Sequence, residues 1–139
     1  MELILGGFAQ GKLDFALSRY PDACYLSGEA DSQGNADLCC LFSGDIGDNS
    51  IKIWNNFNIS VKKMIESGKN DDDVRDMIQS AVGFHKNLVI ISDEIGCGIV
   101  PMSADERRYR EFVGRIQCFL AEKADKVFRV VCGVPQRIK

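Results

Sequence analysis

The stretch Leu3-Ile4-Leu5-Gly6-Gly7-Phe8-Ala9-Gln10-Gly11-Lys12-Leu13 decides how the rest of the chain is read. Its apolar opening predicts a strand over residues 2–5, and the helical spacing that follows predicts a helix from residue 12 to about 19. Between them, glycines at 6 and 11 followed by Lys12 have the spacing of a phosphate-binding loop. Such a loop curls so that successive backbone N–H groups face one anion, while the lysine and the helix N-terminus add positive potential. Gly6, Gly7, Phe8, Ala9, Gln10, Gly11, Lys12 and Leu13 are therefore the expected phosphate contacts. Position 13 departs from the pattern. A Ser or Thr there normally gives its hydroxyl to magnesium, and Leu13 has no oxygen to give.

Downstream, strand and helix patterns alternate. Strands are expected over residues 23–26, 51–54, 88–91 and 126–132, with a further short one at 38–42 inside a Gly-, Asp- and Ser-rich region. Helices are expected from 57 to the glycine at 68, from an acidic cap at Asp71 or Asp72, and from 104 to 124. Leu88-Val89-Ile90-Ile91 is apolar at every position, as in a parallel strand covered by helices on both faces. The expected architecture is α/β, a doubly wound and mostly parallel sheet with its ligand crevice at the carboxyl ends of the strands.

Composition narrows the function classes. The 139 residues are 45% hydrophobic and 27% charged, which suits one compact domain spanning the chain. Seventeen Lys and Arg against 20 Asp and Glu give a net charge of −3, which argues against nucleic-acid binding through a basic face. No apolar run reaches the roughly 20 residues of a membrane span, so a cytoplasmic protein is expected. The six cysteines form no C-x-x-C pair and accompany a single histidine, so buried free thiols are expected rather than a zinc site.

A second constellation lies at the end of the buried strand. Asp93-Glu94 is the kind of acidic pair that holds magnesium or orients a nucleophile in phosphoryl transfer, and it is the candidate metal site. With Lys12 it completes the expected catalytic set. Ile95-Gly96-Cys97-Gly98-Ile99-Val100-Pro101 follows, a loop hinged at Gly96 and Gly98 and closed by Pro101, too apolar for ordinary linker and assigned to substrate contact. Trp54 is expected in the core, the arginines at 107, 108, 110 and 115 on a polar helix face, and His85 at a helix end or the surface.

Ser92 through Pro101, the Arg-rich helix, the terminal Gly133-Val134-Pro135-Gln136-Arg137-Ile138-Lys139 and the opening loop together resemble the bifunctional adenosylcobinamide kinase and adenosylcobinamide-phosphate guanylyltransferase family of cobalamin biosynthesis. The resemblance implies a RecA-like P-loop fold and a homo-oligomer. It implies two reactions: phosphorylation of the aminopropanol hydroxyl of adenosylcobinamide by ATP or GTP with Mg2+, then GMP transfer through a covalent enzyme-guanylate. It also places the terminal segment near the nucleotide. Three positions depart from the family pattern: Leu13 replaces the hydroxyl, residues 55 and 56 are Asn where an acidic residue is usual, and residues 28–48 hold no histidine for guanylylation. Asp93 stands where the family usually has Asn. These departures imply a kinase without guanylyl transfer, or a nucleotide- or corrinoid-binding relative that has lost catalysis.

Overall fold

The structure is a computed structural model, and residues 1–27 and 50–139 are described. In chain order the elements are β1 (Glu2–Gly6), α1 (Lys12–Arg19), β2 (Cys24–Ser27), β3 (Lys52–Asn55), α2 (Phe57–Glu66), α3 (Asp71–Phe84), β4 (Leu88–Asp93), α4 (Ala104–Lys123), β5 (Lys126–Val131) and β6 (Val134–Arg137). The expected strand at 38–42 lies outside the described residues, as do Cys39 and Cys40.

The sheet has the order β2-β3-β4-β1-β5-β6, parallel except for the last pair. Alternation along each strand divides the core in two. Leu3, Trp54, Leu88, Ile90 and Val127 face the side covered by α2, α3 and α4, where they meet Phe57, Ile78 and Leu120. Ile4, Ile53, Val89, Ile91, Phe128 and Val130 face the other side, against Ala16 of α1. Helices on opposite faces make the sheet doubly wound, so the crevice opens beside β1, where successive crossovers depart in opposite directions. Leu88, Val89, Ile90 and Ile91 are all buried, as a strand covered on both faces must be.

The antiparallel strand β6 is absent from the βα reading of the sequence. It pairs Val131 with Val134 across Cys132 and Gly133, which have φ of 49° and 77°, the two left-handed residues that a tight hairpin requires. Pro135 is tolerated because this strand is the sheet's edge. The α3 cap also differs: Asn70, not Asp71 or Asp72, closes a capping box in which Asn70 and Asp73 exchange side-chain and backbone bonds. Trp54 is fully buried, edge-on to Phe57 with ring centroids 5.0 Å apart, and its indole N–H donates to Ser60. The cysteines Cys24, Cys97, Cys118 and Cys132 are free, as expected, but exposed rather than buried. No helix of the described residues is long and apolar enough to cross a membrane.

Two glycines show where the backbone is held tightly. A Cβ on Gly6 would lie 2.4 Å from the Val130 carbonyl oxygen, whereas one on Gly114 in α4 would meet nothing within 4 Å. Gly6→Ala is expected to lower the unfolding free energy by roughly 1–3 kcal/mol through overpacking. Gly114→Ala should raise it by about 0.4–1 kcal/mol through reduced unfolded-state entropy. Urea denaturation of both variants, with a shift in midpoint at constant slope, checks the pair.

Candidate functional site

Register brings the two candidate constellations together. Parallel pairing of β1 with β4 sets Gly6 beside Asp93, and the Glu94 N–H donates to the Gly6 carbonyl at 3.0 Å. The loop then rises over the carboxyl end of the sheet, with Ala9 and Gly11 both in the left-handed region at φ 55° and 80°. Gly11 is the residue before α1, and a Cβ there would also press to 3.3 Å against the Gly133 Cα. Among the described residues, the backbone amides of residues 8–12 donate to no backbone acceptor. That is the condition for an anion nest at a helix N-terminus.

Lys12 is buried, and its Nζ donates to the Gly7 carbonyl and to Asp93 Oδ1, both at 2.6 Å. The ammonium therefore bridges the base of the loop and the end of β4. Around it a cleft of about 420 Å³ is lined by the loop, Asp14, Asn55, Asn56 and Asp93. Asp93 is itself fixed from behind. Its N–H donates to Asn58 Oδ1 at 3.1 Å, and its carbonyl accepts from Gln117 Nε2 at 2.8 Å while the same amide holds Ser92. Tyr109 donates its hydroxyl to the Asn58 carbonyl at 2.7 Å. Burial pushes the Tyr109 phenol up to about 12, and the Glu106 carboxylate adds to the rise.

The second acidic residue has a different role. Both Glu94 oxygens are taken by the Arg129 guanidinium at 2.7 and 2.8 Å, and this contact holds Arg129 above its ordinary value. Leu13 adds no oxygen, Asn55 and Asn56 are neutral amides, and no group of three metal-binding side chains occurs among the described residues. Among the described residues the cleft thus offers a cation the carboxylates of Asp14 and Asp93 but no protein cage of three ligands. Gly96, Gly98 and Pro101 fall outside the cleft around Lys12. Their loop arches over the start of α4, where Arg107 donates to the Pro101 and Met102 carbonyls and Arg110 to that of Ile99. Arg108 pairs with Asp71 and Arg115 with Glu111, so these four arginines brace the chain itself.

The β5–β6 turn buttresses the loop. The Cys132 N–H donates to Gln10 Oε1 at 2.7 Å, and the Gly133 N–H to the Gln10 carbonyl at 3.0 Å. Gly133 thus touches the phosphate loop, whereas Lys139 runs back to donate to the carbonyls of Ala121 and Glu122 at the far end of α4. His85 caps the C-terminus of α3, buried and edge-on to Phe84 before β4 begins, at the opposite end of the sheet from the cleft. Asn58 and Gln117 are absent from the residues picked out by sequence, and Tyr109 is expected there only as part of the apolar face of α4. A signal existed for Gln117, an amide inside the buried helical stripe of Val113, Ile116 and Leu120. None existed for Asn58.

Residues 48–138 match the family described as cobinamide kinase / cobinamide phosphate guanyltransferase. The chain belongs to this family. Its six-stranded, mostly parallel sheet is the family's P-loop NTPase fold. The bifunctional adenosylcobalamin biosynthesis protein CobU of Salmonella typhimurium is 35% identical over 69 residues, which are 50% of this chain and 38% of that protein. CobU of Escherichia coli is 33% identical over 67 residues, 48% of this chain and 37% of its own length. CobP of Pseudomonas aeruginosa is 33% identical over 52 residues, 37% of this chain and 30% of its own. The matched part of the chain therefore spans less than two fifths of each of these relatives.

Two outcomes follow from the geometry. Removing the carboxylate in Asp93→Asn leaves the Lys12 ammonium without its anionic partner, so pyrophosphate should bind about tenfold more tightly in metal-free buffer, measured by calorimetric titration. In an alkaline absorbance titration, Tyr109→Phe should remove a phenolate signal with a midpoint near 12. Because that value lies above the ordinary 10, the stability Tyr109 contributes is complete below pH 10 and is lost as pH rises toward 12.

Proposed function

We propose that the chain is a nucleotide-dependent kinase of cobalamin biosynthesis that phosphorylates the hydroxyl of adenosylcobinamide, working in the cytoplasm with ATP or GTP. The single observation that carries this reading is the Lys12 ammonium set between the loop and the carboxylate at the end of β4, 2.6 Å from each. Family membership supports this acceptor, and the geometry supports a phosphate site at the loop. In this reading the loop amides and Lys12 stabilise charge on the transferring phosphoryl group, and Asp93 orients what meets it. Asp93 would be the protein contact of a magnesium ion bound with the nucleotide, and the ion would supply charge neutralisation at the phosphates.

Guanylyl transfer is not part of the proposal, because His85, the chain's only histidine, sits at the far end of the sheet. A homo-oligomer is: β6 is an edge strand with Val131, Val134 and Ile138 exposed around it, an arrangement that favours strand-edge or apolar association. The second reading, a nucleotide-binding relative without turnover, is favoured by Leu13, which offers no hydroxyl, and by Asn55, which offers a neutral amide in place of a carboxylate.

Incubating the protein with ATP or GTP, magnesium and adenosylcobinamide is expected to yield the phosphate ester and no guanylated protein. Lys12→Ala should lower the rate by at least about 100-fold, a loss of roughly 3 kcal/mol of transition-state stabilisation. Leu13→Thr should raise it. Nucleotide binding without ester in both the wild type and Leu13→Thr would decide for the non-catalytic reading.

A further inference from the structure

Strand β4 outlasts one of its two neighbours. Its pairing with β1 continues to Gly6 and Asp93, whereas its pairing with β3 ends at Trp54 and Ile90, three residues earlier. The main chain of Asp93 is therefore held by a strand on one side only, and its polar groups on the other side need partners from elsewhere, since an unpaired buried N–H is costly.

Two side-chain amides supply those partners. Asn58 Oδ1 accepts from the Asp93 N–H at 3.1 Å, while Gln117 Nε2 donates to the Asp93 carbonyl at 2.8 Å and to the Ser92 hydroxyl oxygen at 2.9 Å. Asn58 is 5% exposed, and the Tyr109 hydroxyl fixes its carbonyl in turn at 2.7 Å. Neither amide lines the cleft around Lys12. Any influence they have on that cleft runs through Asp93.

We propose that Asn58 and Gln117 are positioning residues of the anion site, holding the Asp93 main chain so that its carboxylate stays on Lys12. This rests on the phosphate-site reading above and adds a control on it. An ammonium and a carboxylate drawn out of water attract enough to offset their desolvation only while their geometry is close. The lysine side chain is long and has a second acceptor in the Gly7 carbonyl, so Asp93 is the half of the pair that must be kept still. Once a clamp is lost, the freed main-chain group turns to water and the carboxylate shifts with it. Water between the two charges then weakens their attraction. Lys12 becomes easier for an incoming anion to take. The clamps thus make the empty site harder to occupy, whereas a merely structural role has the opposite sign, because loosening the base of the loop weakens the binding of every anion.

Asn58→Leu and Gln117→Met remove the amides at nearly constant shape. In metal-free calorimetric titration of the intact chain, each should bind pyrophosphate about threefold more tightly than the wild type. Tyr109→Phe, which loosens Asn58 without replacing it, should act in the same direction by about twofold. Placed in an Asp93→Asn background, none of the three should change the affinity, because no carboxylate remains to be held. Binding that is weakened or unchanged in the folded single variants, or shifted equally in the Asp93→Asn background, would overturn the proposal. A wild type that takes up no pyrophosphate would sink the phosphate-site reading instead. The clamp is then judged by NMR: the Lys12 ammonium protons, held by Asp93 and Gly7, should exchange with solvent about tenfold faster in the amide variants, and equal exchange would overturn it.

Discussion

The Lys12–Asp93 ion pair is the contact on which the site depends, and it exists only because β1 and β4 are neighbours in one particular register. Sliding that pairing by one residue would move Gly6 away from Asp93 and also turn Ile90 and Ile91 to the wrong faces. The core thereby enforces the geometry of the site. Two buried layers fix the register, the register fixes the strand ends, and the strand ends place an ammonium and a carboxylate 2.6 Å apart at the base of the loop. Asn58 and Gln117 hold the Asp93 backbone, so α2 and α4 each clamp the same residue from the covered face.

Much of this was legible in the sequence because it is written in local periodicity. Apolar runs, glycine spacing and strand alternation located every described element except β6. That strand escaped because its turn is Cys132-Gly133 rather than a familiar hairpin dipeptide, and because Pro135 argues against a strand unless the strand is known to be an edge. The exposed cysteines escaped for a related reason. Thiol burial is a statistical habit, whereas Cys97 and Cys132 occupy turns whose position only the tertiary fold decides. In the site, Lys12, Asp93 and the loop could be named from spacing. Whether Glu94 pointed at a ligand or at an arginine could not, since Arg129 is 35 residues away and reaches it from β5.

The charges at the strand ends carry a further step of synthesis. The end of β3 carries the neutral amide Asn55 and the end of β4 the carboxylate Asp93, and both line the cleft. The carboxylate therefore sits beside the lysine. At about 4 Å and an effective dielectric near 20, one unit charge is worth about 4 kcal/mol to another, so that placement is not neutral for an incoming anion. An anion with several charges would have the loop amides and the α1 dipole to set against that one carboxylate. An anion with less charge has less to set against Asp93. The ion pair thus sets a threshold: an anion would have to outcompete Asp93 before Lys12 is released to it.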